Sequence, residues 1–105
     1  MIEKGVKITR WSGEKPVTEA AIQKLIRDED LIAYKWSNRP GDVYGAHSHG
    51  YGKVIYVVQG SITFGLPKSG QRIELFSGDR LDLPYRTEHD ALVGPQGVVC
   101  LEAHR

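Results

Sequence analysis

The chain has 105 residues, 40% of them hydrophobic and 26% charged, with a formal net charge of +1. That length supports one hydrophobic core and a single domain over residues 1–105. So small a charge gives no electrostatic footprint for nucleic acid or an anionic membrane. One cysteine, Cys100, excludes an internal disulfide and suits a cytoplasmic setting. Met1-Ile-Glu-Lys-Gly does not resemble a signal sequence, and no segment approaches the roughly 20 apolar residues of a membrane span. Twelve glycines and five prolines mark many turns and point to short strands.

In chain order, Ile2, Val6 and Ile8 have the parity of an inward face on an early edge strand. Thr18 is then the expected N-cap of a helix, with Glu19 near the positive end of its dipole. Ile22, Leu25 and Ile26 form one apolar stripe through Ala20–Asp30, so the helix is expected to cover the outside of a sheet. The acidic run Asp28-Glu29-Asp30 opposes the dipole and predicts fraying there. Leu31–Trp36 reads as a strand, followed by a turn over Ser37–Gly41.

The stretch Gly41–Gly60 organises the rest. His47 and His49, two positions apart, share one face of an extended strand. Val54–Val58 reads as a buried strand ending at Gly60. Ser61–Leu66, Arg72–Phe76 and Leu81–Leu83 are further strands between turns at Pro67–Gly70, Ser77–Asp79 and Pro84. Thr87–Val93 puts His89, Ala91 and Val93 on one face, Gly94–Gly97 turns, and Val98–Glu102 closes the chain. About eight or nine short strands with one helix near the front predict a small antiparallel sandwich or barrel.

A histidine pair opening such a core is a candidate metal site that needs one or two more ligands. The surrounding spacing resembles the cupin superfamily, in particular its small single-domain members. Gly41, five residues, His47-Ser48-His49, three residues, Lys53, six residues and Gly60 follow its first motif, with lysine where the family most often has glutamate. Gly78, five residues, Pro84, one residue, Arg86 in place of glycine, two residues, His89, three residues and Val93 in place of asparagine follow its second. The resemblance implies an all-β double-stranded β-helix, or jelly-roll, cupin barrel with the short N-terminal helix packed outside. It also implies a homodimer, and a divalent transition metal held by His47, His49 and His89. Neutral imidazoles suit zinc, iron, nickel, manganese, copper or cobalt. The alternative is that the three histidines merely line a ligand cavity or are satisfied by neighbours.

Lys53 is the departure that carries information. A protonated lysine cannot ligate, and at about 5 Å with an effective dielectric near 20 it repels a divalent ion by roughly 6–7 kcal/mol. It must swing away, lose its proton, or pair with an anionic ligand that also reaches the ion; otherwise it snorkels outwards to a surface carboxylate. Lys53 is therefore the candidate catalytic group, and Tyr51, Tyr85 and Arg86 are candidate pocket residues at the barrel mouth. Glu88 and Asp90 flank His89 but have the wrong parity to replace the missing ligand without a bulge. Cys100 reads as an inert core thiol and His104 as exposed. The expectation is a metal-binding pocket for a small-molecule ligand, with no nucleic-acid or membrane partner. Such a pocket serves either a metal-dependent enzyme acting on a small anionic metabolite (oxygenase, isomerase or lyase type) or a non-catalytic binding or sensing module. A third reading is a scaffold in which the histidines are incidental.

Overall fold

A two-residue period of apolar side chains runs through most of this sequence, and the fold is what that period becomes when both faces of a sheet must be covered. The computed structural model describes residues 3–105, so the expectation for Ile2 lies outside the described residues. In chain order it contains β1 (Lys7–Thr9), α1 (Glu19–Asp28), β2 (Ala33–Asn38), β3 (Val43–His47), β4 (Lys53–Leu66), β5 (Gln71–Phe76), β6 (Arg80–Leu83) and β7 (His89–His104). Every pairing is antiparallel. The path through the sheet is β1-β6-β4-β7-β2, with β3 also on β7 and β5 also on β4.

Parity divides the two long strands between two cores. Val54, Tyr56 and Val58 of β4, with Leu101 and Ala103 of β7, pack under Ile22 and Ile26 of α1. Ile55, Val57, Ile62 and Phe64, with Ala91, Val93, Val98 and Cys100, fill the inner side. Helix α1 thus covers the outside, as its stripe predicts. Thr18 caps it by accepting from the Ala21 amide, and it ends at Asp28 with Glu29 as C-cap. Each fully buried isoleucine contributes about 1.5–3 kcal/mol to holding the helix down. No helix among the described residues is long and apolar enough to cross a membrane.

The structure departs from the sequence reading in the number and length of strands. Gly60 does not end a strand: β4 runs 14 residues through it. Nor does Gly94–Gly97 separate two strands, because β7 runs 16 residues from His89 to His104. The two strands bend side by side, with register shifts between Val57 and Gln59 and between Gly60 and Ile62. Bulges let the ladder continue through the bend, where stopping it would leave buried backbone groups without partners. The count is therefore seven strands among the described residues, not eight or nine. Strand β2 also lies two residues later than expected, at Ala33–Asn38 instead of Leu31–Trp36.

Gly60 is required at that bend. Its φ is +79°, and a Cβ there would run into the carbonyl oxygen of Gly97 on the neighbouring strand. Gly60→Ala combines left-handed strain with a backbone clash, so it is expected to cost at least about 2 kcal/mol. Urea unfolding of the variant beside the parent measures this, and an unchanged midpoint would contradict the account of the bend.

Candidate metal centre and cavity

Three imidazoles converge at one end of the inner core. His47 closes β3 and His89 opens β7, and the two are directly paired across the strands. His49 lies two residues past the end of β3, in the turn before β4, so it does not share a regular strand face with His47 as the spacing suggests. The backbone instead brings it round: the Arg86 amide donates to the His49 carbonyl at 2.6 Å. Arg86 adopts φ +61°, the left-handed conformation expected of the glycine it replaces in the second motif. The result is three rings with centroids 4.4–5.7 Å apart and one potential ligand atom from each within 4.8 Å of the others.

The hydrogen bonds of these rings leave one nitrogen of each available. His47 Nδ1 lies 2.7 Å from the Gly45 carbonyl and His89 Nδ1 lies 2.8 Å from the Thr87 carbonyl. An imidazole donating through Nδ1 keeps its lone pair on Nε2, which is how ligating histidines are oriented. His49 Nδ1 lies 3.3 Å from the Tyr51 hydroxyl, while its Nε2 is buried with no hydrogen-bond partner. A buried ring nitrogen without a partner is costly in an apolar setting and is satisfied by a metal ion. The donor set therefore fits a divalent ion.

Burial lowers the His89 pKa from its ordinary value; the Thr87 carbonyl opposes this, and the charges of His47 and Lys53 reinforce it. For His49, burial again comes first, followed by Lys53 and His47. Both rings are thereby kept neutral near pH 7, the form that ligates.

Lys53 lines the cavity as expected, and its carboxylate partner is the unexpected part. By parity with Ile55 and Val57 it points inwards, and its Nζ lies 3.1 Å from Oε2 of Glu102, with the two side chains only 13% and 3% exposed. The partner is a buried carboxylate, not one on the surface. Glu102 faces inwards for the same reason as Cys100, since the residues between and beyond them, Leu101 and Ala103, face the helix. Its carboxylate also accepts from the Tyr34 hydroxyl, from Trp36 Nε1 at 3.2 Å and from His104 Nε2 at 2.9 Å. Burial pushes the Glu102 pKa up, but Tyr34, Lys53 and His104 together outweigh it and hold the carboxyl below its ordinary value. Burial and the Glu102 carboxylate raise the Tyr34 pKa, so Tyr34 stays protonated as a donor.

His47, His89 and this ion pair border one cavity of about 220 Å3. His47 and His89 line it together with Lys53, Glu102 and Tyr34, and the Lys53 charge acts on both His89 and His49. Trp36, Tyr44 and Phe64 supply aromatic wall, with Trp36 and Tyr44 edge-to-face at 6.4 Å. Tyr51 stands behind His49, stacked on it at 5.0 Å, and packs against His104 at 4.1 Å. Tyr85 and Arg86 do not line this cavity; both are exposed, with the Arg86 guanidinium over the Tyr85 ring. Glu88 is exposed and the Asp90 carboxylate lies across Gly65, so neither reaches the histidines. His104 is 38% exposed and bonded on its inner side, not simply a surface residue. Cys100 is fully buried, and burial raises its thiol pKa, which fits an inert core residue.

Sequence reasoning missed Glu102, Tyr34 and Trp36. One signal for Glu102 was present: a single charge inside the apolar run from Val98 to Ala103 is costly unless paired.

No protein-family model matches the chain, and no curated protein does. Solved structures do. An RmlC-like cupin from Shewanella frigidimarina superposes with a TM-score of 0.61 at 27% identity, over 70% of this chain and 64% of that one. This chain thus spans less than two thirds of that relative. KdgF from a Halomonas species gives 0.60 at 24% identity over 99% and 83% of the two chains. The polyketide cyclase RemF from Streptomyces resistomycificus gives 0.62 at 21% identity over 96% and 66%. These likenesses show the double-stranded β-helix fold expected from the sequence.

The lowered His89 and His49 values set a pH dependence. Below the ordinary imidazole value of 6.5 the unfolded chain binds protons that the folded chain refuses, so metal-free protein loses stability as pH falls. The loss begins near 6.5 and is complete once pH passes through the lowered folded values. Urea unfolding of metal-free protein between about pH 7.5 and pH 5 reads this; His89→Gln is expected to flatten the slope. A parent profile already flat there would contradict rings held neutral.

Proposed function

We propose, from the cupin-type fold that the chain shares with these structures, that His47, His49 and His89 hold a divalent transition metal beside a small-molecule site. The observation that carries this reading is the buried His49 Nε2 with no partner, facing two rings whose Nδ1 atoms are occupied by backbone carbonyls. Three neutral protein ligands are the catalytic type of coordination, with positions left for a ligand. An ion there supplies Lewis-acid polarisation of a ligand oxygen.

The chain's own residues do the rest. Lys53 presents an ammonium to the cavity, and Glu102 fixes it in place. Because Glu102 carries the opposite charge, the pair adds no net charge beside the ion, and the repulsion expected from a lone lysine is offset. At 3.1 Å the gross attraction within the pair is about 5 kcal/mol on the same effective dielectric. Oxygen anions are favoured beside the histidines, and the aromatic wall of Trp36, Tyr44 and Phe64 favours a flat apolar body. We read the site as that of a metal-dependent enzyme acting on a small anionic metabolite; that a polyketide cyclase has this fold supports an enzyme's cavity here.

Elemental analysis of untagged protein, purified without chelators or nickel resin, is expected to find near-stoichiometric metal. His49→Ala should lower the affinity by at least about a hundredfold while circular dichroism shows the fold kept. Parent and variant with equal metal content would overturn His49 as a ligand. In cobalt-loaded protein, Lys53→Met should weaken acetate binding, read from the visible spectrum, by about tenfold, one lost charge-assisted contact. Unchanged acetate affinity would place Lys53 outside the ligand's reach.

A further inference from the structure

Glu102 Oε2 is the meeting point of a line of exchangeable protons that runs from the cavity to solvent. Lys53 Nζ is 3.1 Å from it on the cavity side, and His104 Nε2 is 2.9 Å from it on the other. The Tyr34 hydroxyl donates to the same oxygen and lies 2.9 Å from His104 Nε2. His104 is 38% and Tyr34 46% exposed, whereas Lys53 and Glu102 are 13% and 3% exposed, so water reaches the line at His104 and Tyr34 on the far side of the ion pair. The arrangement follows from the sheet: Lys53 of β4 pairs with His104 of β7, and Tyr34 of β2 pairs with Glu102. A carboxylate needed only to neutralise Lys53 does not require an imidazole at the surface on its other side.

We propose that Lys53 is the proton donor to a ligand in this cavity, that Glu102 is its positioning residue and relay, and that His104 recharges it from solvent. The ligand class this fits is a planar, enolisable oxo acid. The inference rests on the metal-site reading for where the ligand's oxygens lie, beside the histidines, with its flat body along Trp36 and Phe64. The step is protonation of an enolate carbon. The carbon–carbon π pair becomes the new C–H bond, an oxygen lone pair closes the C=O, and the broken N–H bond leaves its electron pair on Lys53 as a neutral amine. A proton then passes from the His104 imidazolium to Glu102 Oε2 and on to Lys53 Nζ, and His104 takes another from water. The net change is one solvent proton added to the ligand, with no oxidant or reductant.

Two measurements test this, one of them independent of any metal. In metal-free protein the Lys53 ammonium should give a protected 15N–1H resonance whose hydrogens exchange with water through His104. His104→Ala should slow that exchange about tenfold or more, and free imidazole should restore it. A merely structural His104 predicts the opposite, because its removal opens the pair to water and speeds exchange; unchanged or faster exchange overturns the relay. In zinc-loaded protein the enol of phenylpyruvate is the probe, its ketonisation followed by ultraviolet absorbance. Lys53→Met should slow turnover about a hundredfold. Glu102→Gln should lower kcat with little change in KM, with metal content and melting temperature recorded for each variant. Loaded parent that binds phenylpyruvate without speeding ketonisation overturns Lys53 as donor, and failure to bind it overturns the ligand class. A parent that takes up no metal refutes the metal reading instead, and the exchange experiment still decides the relay.

Discussion

The structure depends on a buried carboxylate that is never left alone. Glu102 sits in the inner face of β7 with Lys53, Tyr34, Trp36 and His104 all donating to it. Removing two charges from water costs several kcal/mol per ion, and the attraction between them repays this only when the remaining hydrogen-bonding capacity is also satisfied. Here it is satisfied from three strands at once. The same group ties β2, β4 and β7 together at the cavity and makes an inward lysine tolerable a short way from three histidines. A hydrophobic pair of similar size would serve packing as well or better, so an ion pair on a cavity wall is more economically explained by what it presents to the cavity.

The histidine cluster and the ion pair are built by different means. His47 and His89 are placed by strand pairing, after a register shift between Tyr44 and His47. His49 is placed by a turn held from Arg86, whose backbone takes a left-handed conformation to reach it. Residues in that conformation cost of order 1–3 kcal/mol and persist where the surroundings impose them, often at functional sites. Tyr51 joins the two from behind, stacked on His49 and packed on His104.

Much of this was legible in the sequence because a strand's two-residue period and a helix's capping chemistry are local. Thr18, Ile22 and Ile26 announced the helix and the face it buries. The alternation in Val54–Val58 and Val98–Ala103 announced two-sided strands, and the motifs around His47, His49 and His89 carried the resemblance that implied the fold and the candidate ligands. The errors came where local signals compete with the sheet. Gly60 and Gly94–Gly97 read as ends, yet the ladder runs through both, since a bulge costs less than a row of unpaired backbone groups. Tyr85 and Arg86 read as mouth residues because they stand beside a motif position, but the turn that sets their backbone also turns their side chains outwards.

The sequence by itself determined the all-β double-stranded β-helix, the external helix and the three histidines. The strands and the helix follow from periodicity within short stretches of chain, while the double-stranded β-helix and the histidine set are what the resemblance of the two motifs implied. Only the tertiary structure decided what Lys53 does. Its partner lies 49 residues further on, and nothing local to either residue brings them together. What does so is the β4–β7 register, which sets Lys53 opposite His104 and Ile55 opposite Glu102 on the inner face. A charge's environment is fixed by whichever strands become its neighbours, and that is a property of the closed sheet.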